Sequence, residues 1–274
     1  MIVNVTPEGW EIFYHRGHAL LAAQIGLHVG WRVGERPARM AETLAALFQH
    51  DDLALEWESE LIGPAGTPLD FTLQTPLQTE IDLAPQLKLI EHAQYRGRWV
   101  AMLVSMHCCF INAPKAGASK EIAQFMKTQR ALQQRWQREL GITSAMAEQA
   151  YALMQWCDRL SLILCKRELP SRERWLEVST GPDGRRYDAR QREDGTVEVQ
   201  PWPFSTPAFT VDAECTRISR PAFKSNEEFV SALRAAPIQT IEWQLVQSKA
   251  HQNGHFDRKR HKADKARALP LGEE

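Results

Sequence analysis

The chain has 274 residues, 43% hydrophobic and 24% charged, enough to bury a substantial core in one large domain or two modest ones. A formal net charge of -1 gives no global field to attract nucleic acid or an anionic membrane. No stretch approaches the roughly 20 apolar residues of a membrane-spanning helix. The opening MIVNVTPEGWEIFYH has neither a basic leader nor an apolar signal core. Five cysteines form no CxxC pair, and all but Cys215 lie in apolar helical runs, so free thiols in a reducing, cytoplasmic compartment are expected.

Residues 1–14 alternate as two strands, IVNV and WEIFY, around Thr6-Pro7-Glu8-Gly9, where Pro and Gly suit a hairpin turn. So small a hairpin is not stable alone and is expected to pack on or extend another sheet. Helical periodicity follows: His18, Ala22, Ile25 and Val29 share a face, and Gly34 and Pro37 break the helix. On the next helix Met40, Leu44, Leu47 and Asp51 form one stripe, with His50 adjoining it. Residues 59–82, with Gly63, Pro64, Gly66, Pro68 and Pro76, read as a long irregular connection of the kind that often covers a site.

Helices resume near Pro85 as IEHAQYRG and RWVAMLVSMHCCF, separated by Gly97. A loop at 113–119 precedes a polar amphipathic helix, Lys120 to Leu140, and an apolar one, Thr143 to Cys165. After Pro170 the pattern changes. WLEVST, RRYDARQ, TVEVQ and AFTVDAE, with Asp183-Gly184 and Asp194-Gly195 between them, predict an antiparallel meander. Ser225 and Glu228 have capping-box spacing ahead of FVSALRAA, and IQTIEWQLV is the last strand. Residues 248–274 are polar and basic and read as a disordered tail; its RKRHK cluster is the one place where RNA or an acidic partner could be touched.

The chemistry-bearing residues are polar groups in apolar settings. Asp158 interrupts YALMQWCDRLSLILC, and an ionised carboxylate there needs a cation or several hydrogen bonds. His18 lies in HALLAAQIGL, His50-Asp51 ends METLAALFQHD, and His107 ends VAMLVSMH. Imidazoles and carboxylates on the inner faces of four apolar helices suggest one shared partner, most simply a divalent metal such as manganese, iron or zinc. The bland reading of each is a core histidine or helix-end hydrogen-bond cluster, and for Asp158 a buried Arg or His partner. Cys108-Cys109 has no visible acid-base partner and reads as buried thiols. Trp57 and Trp202 are candidates to line a pocket.

This order of residues, a His, a His-Asp dyad and a late Asp on separate apolar helices, resembles the HD metal-dependent phosphohydrolases. The resemblance implies a primary metal site of His18, His50, Asp51 and Asp158, with His92 and His107 serving a second ion across Asp51. Asp52 beside the dyad reads as a general base or a carboxylate orienting a ligand histidine, or equally as a solvated carboxylate. HDD-x-x-x-EWE lacks the lysine common after the dyad, leaving Arg159 or Arg98 as the phosphate-stabilising cation. The chain further resembles an uncharacterised bacterial family, domain of unknown function 3891. The similarity lies in MIV, His18-Ala19, HDD with EWE, LVSMH, DRLSL and PWPF, spanning nearly all of residues 1–246.

The expected fold is α+β, mainly α. An HD-like helical bundle (15–168) is followed by a small antiparallel β subdomain with one helix (170–246), on which the hairpin (1–14) packs. The expected activity is metal-dependent hydrolysis of a small phosphorylated substrate with one or two ions. A di-iron oxygenase using the same ligands, and a non-catalytic binding or scaffold protein with a buried polar network, are the alternatives. Membrane association is not expected; oligomeric state is left open.

Overall fold

A computed structural model describes residues 1–30, 39–52, 60–73, 82–117 and 119–248. The helix break at Gly34 and Pro37, the EWE segment with Trp57, Pro76 and the tail beyond 248 lie outside the described residues. The hairpin is β1 (Ile2–Thr6) and β2 (Gly9–Phe13). The helices α1 (His15–His28), α2 (Met40–Gln49), α3 (Ala84–Gln94), α4 (Arg98–Asn112), α5 (Lys120–Leu140) and α6 (Ser144–Cys165) follow. Next come β3 (Leu176–Thr180), β4 (Arg186–Gln191), β5 (Val197–Gln200), β6 (Ala208–Ile218), α7 (Asn226–Ala235) and β7 (Ile238–Val246).

Local chemistry sets the helix ends. Ser119 and Thr143 accept hydrogen bonds from the Ile122 and Met146 N–H groups, stopping α5 and α6 at their starts. Ser225 caps Glu228 N–H, while the Glu228 carboxylate takes the Lys224 N–H rather than that of Ser225, a variant of the reciprocal box. Gly141, in the left-handed region at φ 66°, closes α5.

The expected helical bundle with a small antiparallel sheet is corrected by the sheet itself. Among the described residues it has seven strands in the order β1-β2-β6-β7-β5-β4-β3 and curls into a half-barrel. It is also mixed, because β7 runs parallel to β5 at Val197↔Leu245. Two causes are physical. The hairpin joins through β2 to β6, adding two strands to one edge. The long pair β6 and β7, matched from Ala208↔Val246 to Thr216↔Ile238, inserts β7 between β6 and β5, where a simple meander would put β6.

One continuous core joins helices to sheet, so the sheet is no appendage. Leu21, Ile25, Leu103 and Leu160 from the helices pack in the same cluster as Phe13, Val211, Trp243 and Leu245 from strands. A smaller cluster of Ile12, Leu61, Phe223 and Phe229 packs α7 against the other face of the hairpin region. Helix α1 is central, packing on α2, α6 and β6. Its Ala19, Ala22 and Ala23 are at most 1% exposed, and a Cβ on Gly26 would stand 3.1 Å from the Leu44 and Leu47 side chains. Small residues bring the three helices close enough for short polar side chains to meet. No helix among the described residues is long and apolar enough to cross a membrane.

Candidate metal centre

His18 from α1, His50 and Asp51 from the end of α2, His107 from α4 and Asp158 from α6 meet at this crossing. His18, His50, His107 and Asp158 are buried, and Asp51 is partly exposed. The His50 ring is edge-on to those of His18 and His107, with centroids 5.3 and 4.8 Å away.

Each of two imidazoles is anchored by one nitrogen and aims the other at a carboxylate. His50 follows the last turn of α2, where helical carbonyls lack N–H partners, and its Nδ1 donates to the Leu47 carbonyl at 2.6 Å. Its Nε2 then faces Asp158 Oδ1 at 3.1 Å. The Ser161 hydroxyl donates to the Asp158 carbonyl at 2.8 Å, so its oxygen accepts from His18 Nδ1 at 3.0 Å. His18 Nε2 in turn faces Asp51 Oδ2 at 2.7 Å. With Nδ1 holding the proton, each Nε2 must either carry a second proton or present its lone pair to a cation lying between it and the carboxylate.

The charges fit either occupant. Burial works to lower the pKa of His50, but Asp158 and Asp51 outweigh it and raise it to about 9. Burial works to raise both carboxylates, and the facing imidazoles, His50 foremost, hold them well below the usual range. His107 is different: burial, with His50 adding, pushes it down to about 4, so it is neutral. Its Nδ1 is buried with no hydrogen-bond partner among the described residues.

The donor atoms form two groups, His18–His50–Asp158 and His50–Asp51–His107, within each of which they lie within 4.8 Å of one another. Ligands of a divalent ion at ~2.1 Å stand about 3–4 Å apart, so small rotamer changes would bring these donors onto one ion. The orphaned His107 nitrogen, the anchored Nδ1 atoms and two carboxylates that neutralise a doubly charged ion all fit such an occupant.

The other expected residues lie elsewhere. His92 is exposed on α3, 6.3 Å from the Tyr95 ring, and is in neither group. Arg159 pairs with Glu168 at 3.0 Å and Arg98 with Glu139 at 3.2 Å. Asp52, next to Asp51, pairs with Arg16 at 2.8 Å. Cys108 and Cys109 are buried thiols; burial, with Cys109 and Asp51 adding, pushes Cys108 up to about 12, out of nucleophile range. Trp202 lines a separate cleft of about 1100 Å³ with Trp156, Tyr187 and Phe204.

Sequence reasoning did not assign Ser161 and Tyr151. Both follow from helical spacing, since Ser161 is three residues after Asp158 and Tyr151 seven before, on one face of α6.

The family model for a protein of unknown function, DUF3891, matches residues 1–220, and the chain belongs to that family. No curated protein and no solved structure matches the chain.

Proposed function

We propose that this member of the DUF3891 family is a divalent-metal-dependent hydrolase of a small-molecule substrate, with one ion held by His18, His50, Asp51, His107 and Asp158. The supporting observation is the paired anchoring of His18 and His50 through Nδ1, with each Nε2 turned to a carboxylate. A donor set rich in imidazole suits zinc, manganese or iron rather than the all-oxygen shells of magnesium and calcium. When bound, such an ion lowers the pKa of a water and polarises a substrate oxygen.

The chain's own residues do the positioning. Leu47 and Ser161 fix the tautomer and ring direction of His50 and His18, which keeps both Nε2 atoms available as donors. Asp52 follows Asp51 in sequence but pairs with Arg16, so it would orient a water or take its proton only by leaving that pair. A second ion, as the di-iron alternative requires, has little to hold it among the described residues: both donor groups share His50, and His92 belongs to neither. The cations expected for a phosphorylated substrate, Arg159 and Arg98, are engaged by carboxylates, as is Arg16.

Elemental analysis of purified protein tests the reading. We expect close to one zinc, manganese or iron per chain, and loss of both metal and turnover in Asp51→Ala. Metal-free protein that gains no thermal stability from added divalent ions would instead mark the cluster as a buried hydrogen-bond network in a binding protein.

A further inference from the structure

Two buried polar atoms at this site have no hydrogen-bond partner among the described residues, His107 Nδ1 and Tyr151 Oη. Their rings lie 6.4 Å apart. A metal ion satisfies an imidazole nitrogen, but the phenol is a donor that still needs an acceptor. Burial, with Asp158 adding, raises the Tyr151 pKa, so the hydroxyl keeps its proton. Phe110 completes a triangle, its ring 6.4 Å from both His107 and Tyr151, and it is half-exposed, giving this side of the cluster an apolar outer wall.

Charge narrows the ligand. Asp51 and Asp158 already neutralise a divalent ion, and Arg16, Arg98 and Arg159 are spent on Asp52, Glu139 and Glu168. From these three arginines a phosphate dianion would gain an offset for its second charge only by breaking an ion pair. A carboxylate or carbonyl oxygen asks only for the ion and one neutral donor.

Resting on the metal reading above, we propose that Tyr151 Oη is the specificity-determining donor of this site. It hydrogen-bonds an oxygen of the bound ligand, and that ligand is a small carboxylate or carbonyl compound rather than a phosphate ester.

The test uses zinc-loaded wild type and Tyr151→Phe, with zinc content measured on both, titrated by calorimetry with acetate and with inorganic phosphate. Acetate should bind wild type at least as tightly as phosphate does. Its affinity should fall about tenfold in Tyr151→Phe, the size of one lost hydrogen bond to a charged acceptor, at unchanged zinc content. Without acetate, the variant should melt about 2–4 °C higher, since an unsatisfied buried hydroxyl is gone. Equal acetate affinity in both proteins, no acetate binding to wild type, tighter phosphate binding, or a lower melting temperature for the variant would each overturn the proposal. Absence of zinc from wild type would instead overturn the metal reading, and the two failures are told apart by the metal content.

Discussion

Two clusters of buried charge can be compared, and they are finished to different degrees. Glu11, 2% exposed on β2, receives Arg167 Nε at 3.0 Å and Asn4 Nδ2 at 3.4 Å on one oxygen. Its other oxygen receives Arg217 at 2.9 Å and Arg167 at 3.2 Å. Every acceptor site faces a donor, the arginines reach solvent, and the group ties the hairpin to β6 and to the end of α6. The His/Asp cluster is similarly buried apart from Asp51, but its pairing is incomplete: carboxylates face nitrogens whose protons are not fixed, and His107 and Tyr151 end in atoms with no hydrogen-bond partner among the described residues. Burial of charge alone therefore does not mark a functional site. An incomplete set of partners around it is what makes the His/Asp cluster the candidate.

The sharpest way to break this contrast is Asp158→Ala. It removes a donor shared by His50 and His18, and metal content should fall below a tenth of wild type by elemental analysis. In metal-free protein the change should cost about 3–5 kcal/mol in urea unfolding, the usual penalty for stripping one partner from a buried charged pair. Retained stoichiometric metal would remove Asp158 from the site.

Glu11→Gln should behave in the reverse sense, leaving metal content unchanged while lowering stability by about 2 kcal/mol. The loss is smaller because Arg167 and Arg217, 40% and 46% exposed, can return to water. Burial works to raise the Glu11 pKa, and the two arginines outweigh it and hold it below the ordinary glutamate range. The folded pKa is thus the depressed one. Its contribution is present above about pH 4.5 and disappears as pH falls through the lower folded value, because protonation then favours the unfolded chain. Urea midpoints between pH 3 and 7 should show wild type and Glu11→Gln converging at the acid end. A constant gap would mean that the Glu11 charge is not what the clamp depends on.

The same contrast explains what could be read from the residues. Helices and strands were readable because periodicity and caps are local: Thr143, Ser119 and Ser225 mark their helix starts by chemistry within four residues. The insertion of β7 between β6 and β5 was not, since strand order is decided by pairings far apart in sequence. At the site, His18, His50, His107 and Asp158 stood out because an apolar run makes a polar residue conspicuous. His92, in polar EHAQYRG, had no such contrast and is exposed. Arg159 and Asp52 adjoin ligand candidates in sequence, yet a partner further along or earlier in the chain, Glu168 or Arg16, claims each. Tyr151 and Ser161 share the Asp158 face of α6 by spacing, yet spacing alone does not single them out, because a hydroxyl on a helix is ordinary until its partners are known.

The smallest expected effect tests how closely the helices must approach for the unfinished cluster to form. Gly26→Ala adds a methyl that would stand 3.1 Å from Leu44 Cδ2 and Leu47 Cδ1 and 3.6 Å from Cys157 Sγ. Alanine gains about 1 kcal/mol of helix propensity over glycine, and the leucine tips must yield by a few tenths of an ångström, so net stability should change by less than about 1 kcal/mol. The site has less tolerance. Leu47 also supplies the backbone carbonyl that orients His50, so a shift passed from its side chain to that carbonyl would tilt Nε2 away from Asp158. Divalent-ion affinity should therefore fall by about three- to tenfold while the unfolding midpoint barely moves, on the scale at which outer-shell changes act. Should affinity and stability instead shift together, the glycine would be a packing residue for the whole helical layer, and the close approach would have no special link to the metal centre.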